Sequence, residues 1–312
     1  MDYNPYKNNK TLLYAYNHHI RHIEGFSINT TKLGSSPKHA VTTFNKSQDK
    51  LPDFAHNTIR AYKSSLNSLT RYLNGTDIKL SKLDYQFIEG YYTYLRTVEK
   101  LQPNSAYKNI KHLYRVIKVA MLNKWLSSNP FKDFPCRYKN PSRPYLTESE
   151  IASLYSCVFP TNRLTSVRDL FLFQVYTGLS YSDMMAITTV NIEVGIDGKQ
   201  WVIINRVKTY NRCAIPLLPV ALEILKKYNY ILPKVSNQKM NKYLKEVAPI
   251  CGIGKVLTSH IGRHTFATTI CLGHGIPIET VSKMLGHTSI STTQIYAKIT
   301  DSKTANDMQH LM

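Results

Sequence analysis

The sequence predicts a mainly α-helical protein with one small antiparallel β-sheet in its C-terminal half. Three observations carry that expectation. Apolar residues recur at steps of three and four through residues 57–125, the period of helices with one buried face. After a basic, proline-bearing stretch, Thr147-Glu148-Ser149-Glu150 fits a capping box that opens a second helical region. Extended character is confined to Trp201-Val202-Ile203-Ile204 and a returning run at 213–217. The chain of 312 residues has length for about two or three domains, and 43% hydrophobic residues is too apolar for a disordered chain.

Taken in order, residues 1–52 are polar and irregular, with two short apolar clusters (Leu12, Leu13, Tyr14, Tyr16; then Ile20, Ile23, Phe26), and are read as an N-terminal arm or small appendage. The first predicted helix covers 57–73, with Ile59, Tyr62, Leu66, Leu69 and Leu73 on one face and Gly75 closing it. A second covers 84–97 and holds Phe87, Ile88, Tyr91, Tyr92 and Leu95. The third, 104–125, places Ala106, Ile110, Leu113, Ile117 and Met121 on one face and Lys108, Lys111, Arg115 and Lys118 on nearly the opposite one. One stripe can pack on a core while the other meets a phosphate backbone; a solvated charged face is the plain alternative. Residues 135–143, with Pro135, Pro141 and several cations, read as a linker. Beyond it, the strands near 201–206 and 213–217 pair antiparallel around a tip at 208–211.

The formal net charge is +20, from 40 Lys+Arg against 20 Asp+Glu. Residues 1–143 carry 23 basic and 9 acidic side chains, and residues 144–312 carry 17 and 11. Such an excess implies a polyanionic partner, because cations that neutralise phosphates release counterions and supply most non-specific nucleic-acid affinity. No run approaches the ~20 apolar residues of a membrane span, and the polar start MDYNPYKNNK is no secretory signal. The five cysteines (Cys136, Cys157, Cys213, Cys251, Cys271) contain no C-x-x-C pair. Neither a metal site nor a disulfide framework is expected, and the expected setting is a reducing cytoplasm.

Four segments of the second region gather groups that handle phosphate. In Ser259-His260-Ile261-Gly262-Arg263-His264, a Thr258 or Ser259 N-cap places His260 and Arg263 on one face of a helix's first turn. Free N–H groups there already favour an anion. Leu285-Gly286-His287 follows, and nine residues beyond His287 stands Tyr296 within Thr292-Thr293-Gln294-Ile295-Tyr296. Upstream, Lys208 occupies the hairpin tip. Singly, each of these residues has an ordinary structural reading.

The ordered set of hairpin lysine, H-x-x-R, L-G-H and a tyrosine nine residues on resembles the tyrosine recombinases, the phage-integrase family. The resemblance covers about residues 144–300, with His264-Thr265-Phe266-Ala267 and Leu285-Gly286-His287-Thr288 agreeing, and extends more loosely to the helices before. It implies a helical, SAM-like core-binding domain at 53–134, a linker at 135–143 and a mixed α+β catalytic domain at 144–312. It further implies a site-specific DNA recombinase: an integrase of a mobile element or a DNA invertase. In that chemistry Tyr296 attacks a DNA phosphodiester, forming a 3′-phosphotyrosine and a free 5′-hydroxyl, so neither metal, ATP nor another cofactor is needed. Arg263 and His287 would donate to the non-bridging oxygens, His260 would accept the tyrosine proton, and Lys208 would protonate the leaving oxygen. The implied partners are double-stranded DNA with an inverted-repeat core site, a homotetramer on synapsed DNA and a DNA-bending accessory protein; no membrane is involved. The segment 301–312 would dock on a neighbouring protomer.

One departure stands out. The family pattern T-G-L-R-x-S-E reads here Thr177-Gly178-Leu179-Ser180-Tyr181-Ser182-Asp183, so Ser180 replaces the first clamping arginine. Asp183 takes the acidic position that supports the active-site histidine. Serine supplies neither charge nor a bidentate fork, and losing an arginine clamp costs about 10³–10⁵ in rate. Either the protein is a catalytically silent DNA-binding member of the fold, or another cation fills the gap. The expected substitute is Arg168, twelve residues upstream, although ~18 Å of helical rise separates the two positions. The T-G-L-S form resembles a subgroup of integrases from conjugative and mobilisable elements, which favours a working enzyme. A type IB topoisomerase shares the chemistry, but its large clamp has no counterpart in the small helical domain.

Overall fold

The computed structural model describes residues 10–24, 26–28, 44–46, 56–135, 137–139 and 143–296. Cys136 and the proposed docking segment 301–312 lie outside them. The chain divides into two compact units between residues 141 and 142. Among the described residues, no helix is long and apolar enough to cross a membrane.

The first unit contains α1 (Leu12–Ile23), a short antiparallel ribbon of β1 (Phe26–Ile28) and β2 (Phe44–Lys46), α2 (His56–Tyr72), α3 (Tyr85–Thr97) and α4 (Pro103–Leu122). Asp84 caps α3, its carboxylate accepting from the Phe87 amide at 2.8 Å. In α4, Pro103 opens the first turn, where its missing N–H is no loss. The predicted apolar stripe is largely the buried one: Ala106, Ile110, Leu113, Val116, Ile117 and Ala120 face the core. The helix stops three residues before the expected 125, because Lys124 takes a left-handed φ of +58° and closes the chain back on Met121. Within the segment expected to be an arm, α1 contributes Leu12, Ala15, Tyr16, Ile20 and Ile23 to the same core as α2–α4.

The second unit is built around α6 (Asn162–Thr177), whose Leu170, Phe171, Leu172 and Phe173 are all buried. From Asp169 to Val175 every residue of the helix is buried, so this stretch sits inside its domain. Ahead of it, α5 (Glu148–Ser156) begins with both halves of the predicted capping box. After α7 (Tyr181–Ala186), three strands form an antiparallel sheet in the order β3 (Ile192–Val194), β4 (Gln200–Asn205) and β5 (Arg212–Pro216). Val202 pairs with Ile215 and Ile204 with Cys213. The helices α8 (Pro219–Lys227) and α9 (Asn237–Ile250) follow. Next, α10 (Ser259–Thr265) runs into a π-helical turn at Phe266–Cys271, ahead of α11 (Ile278–Met284) and α12 (Ser291–Gln294). The mainly helical fold with a small antiparallel sheet in the second unit matches the expectation from sequence; the β1–β2 ribbon and the edge strand β3 are additional to it.

Candidate active site

The site is assembled from the T-G-L, H-x-x-R and L-G-H segments by one buried side chain. Arg263 is 3% exposed, and its Nη1 donates to the Gly178 carbonyl at 2.8 Å. Its Nη2 donates to the Leu285 carbonyl at 2.6 Å and to His287 Nε2 at 3.1 Å. Both glycines beside these contacts are required by their geometry. Gly178 ends α6 with φ +68°, and a Cβ there would lie 2.3 Å from the Phe266 ring. Gly286 has φ +62°, and a Cβ would lie 2.5 Å from Cys213 Sγ and 2.6 Å from Arg206 Cδ. The close approach brings the L-G-H turn against β5 and the β4–β5 turn, where Asn211 Nδ2 donates to the Gly286 carbonyl at 3.0 Å.

Among the described residues no carboxylate pairs with Arg263. Burial weakens its hold on its proton, as does the nearby Arg206 charge, while Tyr296 and Cys213 act in the opposite direction. A buried guanidinium without a counter-ion is costly unless an anion completes it. Beside it lies a cavity of about 160 Å³ lined by Ser180, Tyr181, Asn237, Asn241, Thr258, Ser259, His260 and Arg263.

The histidines and the tyrosine surround that guanidinium. His287 Nδ1 bonds to Thr293 Oγ1 at 2.8 Å. Since arginine can only donate, His287 Nε2 is the acceptor and Nδ1 carries the proton. Burial, then the charges of Arg263 and Arg206, push the ring down to about 4. In this state His287 accepts from Arg263; presenting a donor from Nε2 requires a second proton on the ring. Tyr296 is 6% exposed; its ring stacks on His287 at 6.2 Å and leans on His264 at 4.9 Å. Tyr296 and Arg263 therefore meet within one chain. His264, foreseen only as a flanking residue, packs on His260 at 4.4 Å and is driven down to about 3 by burial and by His260, Arg143 and Arg263. His260 is exposed and is likewise lowered, by desolvation and then by Arg143 and Arg263.

Ser180 does not act as a surrogate arginine. It caps α7, donating to Asp183 Oδ2 at 2.7 Å and accepting from the Asp183 amide at 3.3 Å. Asp183, expected to support a histidine, is buried against the hairpin instead. It accepts from the Val207 amide at 2.9 Å and faces Arg206 Nε at 3.4 Å. Arg168 is not brought to the cluster. Its Nη1 donates to the carbonyls of Leu154, Tyr155 and Cys157 at 2.7–3.1 Å, and its Nε bonds to Asp169 at 2.7 Å. It fastens the end of α5 to α6, as the helical rise between 168 and 180 requires.

The cation that does stand beside the gap is Arg206, which sequence reasoning had placed only at a strand's end. Its guanidinium, bonded to Asp183 and to the Gly286 carbonyl (3.5 Å), is close enough to depress both Arg263 and His287. The available signal was its spacing, two residues ahead of Lys208. Lys208 is exposed in the turn between β4 and β5, and Lys108, Lys111, Arg115 and Lys118 are all exposed along α4.

A helical unit is thus followed by a unit that gathers a buried arginine, three histidines and a tyrosine of the same chain, the fold and residue set that the sequence resemblance implies. Comparison with known proteins agrees. The model described as phage integrase family matches residues 144–303, and the phage integrase SAM-like domain matches residues 39–139. The chain belongs to the phage integrase family. It is similar to the tyrosine recombinase XerD of Vibrio cholerae, 23% identical over 269 residues, covering 78% of this chain and 86% of that one. It is also similar to XerC of Pediococcus pentosaceus, 25% identical over 277 residues, covering 80% and 90%. Among solved structures, the Tn1549 transposon integrase in complex with a circular intermediate DNA superposes with a TM-score of 0.69 at 15% identity, covering 96% of this chain and 99% of that one. A lambda integrase tetramer bound to a Holliday junction gives 0.63 at 18% identity, covering 80% and 74%.

Proposed function

We propose that this protein is a site-specific DNA recombinase that cuts and rejoins duplex DNA through a 3′-phosphotyrosine on Tyr296. The observation that carries the reading is Arg263: a buried cation held by two carbonyls and an imidazole, with no carboxylate partner among the described residues, that lines a cavity and interacts with the tyrosine of the same chain. Such a group is preorganised for a phosphate whose charge grows in the transition state. The Tyr296 oxygen attacks phosphorus, the 5′-oxygen of the neighbouring nucleotide leaves, and the phosphodiester energy is kept in the new ester. His260 takes the tyrosine proton and Lys208, at the exposed end of the hairpin, supplies one to the leaving oxygen. His287 gains a donor role when the phosphate's negative charge raises its pKa.

In place of the arginine that Ser180 lacks, the reading assigns Arg206. Its guanidinium already shares Asp183 with Ser180, so the second cation enters from the hairpin rather than from α7. The exposed cations of α4 hold the duplex. The DNA-bound and tetrameric forms of the solved relatives support a synaptic tetramer, and the transposon integrase supports a mobile-element setting.

The test is recovery of covalent protein–DNA adducts from cells lysed in strong detergent. Wild-type protein should carry DNA from a few discrete loci, and Tyr296→Phe should carry none while still binding DNA in vitro. Adducts that survive the substitution would remove Tyr296 as nucleophile. Absence of adducts from both proteins, on intact and nicked substrates alike, would favour the silent DNA-binding reading.

A further inference from the structure

A strap at the start of the second unit crosses α10 before entering α5. Leu146 is fully buried; its amide donates to Thr265 Oγ1 at 3.0 Å and its carbonyl accepts from the Thr269 hydroxyl. Lys255 Nζ donates to the Tyr145 carbonyl at 2.9 Å. These bonds fix the strap over the H-x-x-R-H helix and bring Arg143 onto two of its histidines. Arg143 Nη1 lies 2.9 Å from His260 Nε2 and 3.5 Å from His264 Nε2.

Three features make this contact unusual. The Arg143 side chain is exposed, and among the described residues no carboxylate pairs with it. A guanidinium only donates, so the lone pair of His260 Nε2 is occupied and the ring proton sits on Nδ1. In that state His260 has no free nitrogen for the Tyr296 proton. Finally, a bond from guanidinium to neutral imidazole is weaker than the bidentate, charge-assisted bond the same group makes to a phosphate. His260 and Arg263 line one cavity; on the recombinase reading the cleaved phosphate meets these two residues, so DNA entering there brings backbone phosphates to the exposed Arg143.

We propose that Arg143 binds a DNA backbone phosphate and, until DNA arrives, occupies Nε2 of His260, so that duplex binding itself frees the base for Tyr296. Arg143 is then a positioning residue that acts through His260 and ties proton transfer to DNA occupancy, and the free protein is kept idle. The proposal rests on the recombinase reading and on His260 as proton acceptor. The groups facing His260 are Arg143 from the strap and Arg263 and the His264 ring from its own helix. The uncharged Ser180, Tyr181, Asn237 and Asn241 share its cavity. Arg143 and Arg263 are the charges among them, so removing Arg143 must raise the basicity of His260.

The experiment pairs NMR titration of His260 with the salt dependence of binding to a generic linear duplex, in wild type and Arg143→Gln. The exposed position of the side chain leaves the fold intact. In the free protein the substitution should move His260 titration to higher pH. Duplex should raise His260 in wild type by more than in the variant. The slope of log K against log salt should shrink by about 0.9, one phosphate's worth. An unchanged slope overturns the proposal, as does a wild-type His260 titration that duplex leaves in place. Wild-type protein that binds no duplex sinks the recombinase reading and the proposal with it, an outcome distinct from the other two.

Discussion

In the first unit Lys108, Lys111, Arg115 and Lys118 stand in water along α4, whereas in the second Arg263 is almost wholly enclosed and grips two carbonyls and an imidazole. The two placements suit different work. Exposed lysines and arginines displace counterions from a phosphate backbone, which gives affinity that is tolerant of sequence and sensitive to salt. A buried, pre-aimed guanidinium has little to reorganise when charge develops on phosphorus, so it contributes to rate. The buried histidines make the same point from another side. His18 and His19 in the first unit are lowered to about 4 by burial and by nearby cations, much as His287 is in the second. Yet His18 Nδ1 and His19 Nε2 are buried without a hydrogen-bond partner, among the rings of Trp125 and Tyr62, while both His287 nitrogens are engaged. A depressed pKa therefore marks burial in both units, and only partner geometry marks a catalytic site.

The sharpest way to separate grip from chemistry is to neutralise the α4 stripe. Lys111→Gln with Arg115→Gln should lower the salt slope of DNA binding by about 1.8 and weaken affinity at physiological salt by at least tenfold. Single-turnover cleavage at saturating DNA should stay within about twofold of wild type. An unchanged slope would return that face to a merely solvated one.

A smaller effect tests the histidines of the first unit. Their folded pKa lies below the unfolded value near 6.5, so the unfolded chain binds more protons between about 6.5 and 4. Their contribution is present above 6.5 and is lost as pH falls through that window. Melting temperature should therefore drop on acidification. In His18→Phe with His19→Phe the drop from pH 7 to pH 5 should be smaller, by roughly 2–4 °C for each kcal/mol retained. Equal drops in both proteins would mean that other groups control acid stability.

Much of this arrangement was legible in the residues. The steps of three and four in α2–α4, the capping box at Thr147 and the hairpin around Lys208 are local patterns with local causes. The H-x-x-R, L-G-H and tyrosine segments could be ordered into one site through their resemblance to the tyrosine recombinases, since singly each has an ordinary structural reading. Two kinds of feature escaped. Helix α6 is buried on every side from Asp169 to Val175, so no stripe shows which face Arg168 takes, and its guanidinium went to the carbonyls at the end of α5. The contacts of Arg206 and Arg143 depend on turns and a strap that bring distant segments together, as with the Gly286 approach to the hairpin, and no periodicity encodes them. The burial of α1 was likewise hidden by its mixed composition of histidine, tyrosine and asparagine.

The central claim is that a cation from the hairpin stands where Ser180 leaves none, and cleavage of a nicked duplex that traps the phosphotyrosine tests it most directly. The substrate is the site recovered from cellular adducts, and Arg168→Ala runs alongside. Arg206→Ala should lose about 10³-fold or more in single-turnover rate with little change in binding. Arg168→Ala should cleave normally per folded molecule while losing about 2 kcal/mol of stability. Full cleavage by Arg206→Ala, or a selective loss of cleavage in folded Arg168→Ala, would contradict the account.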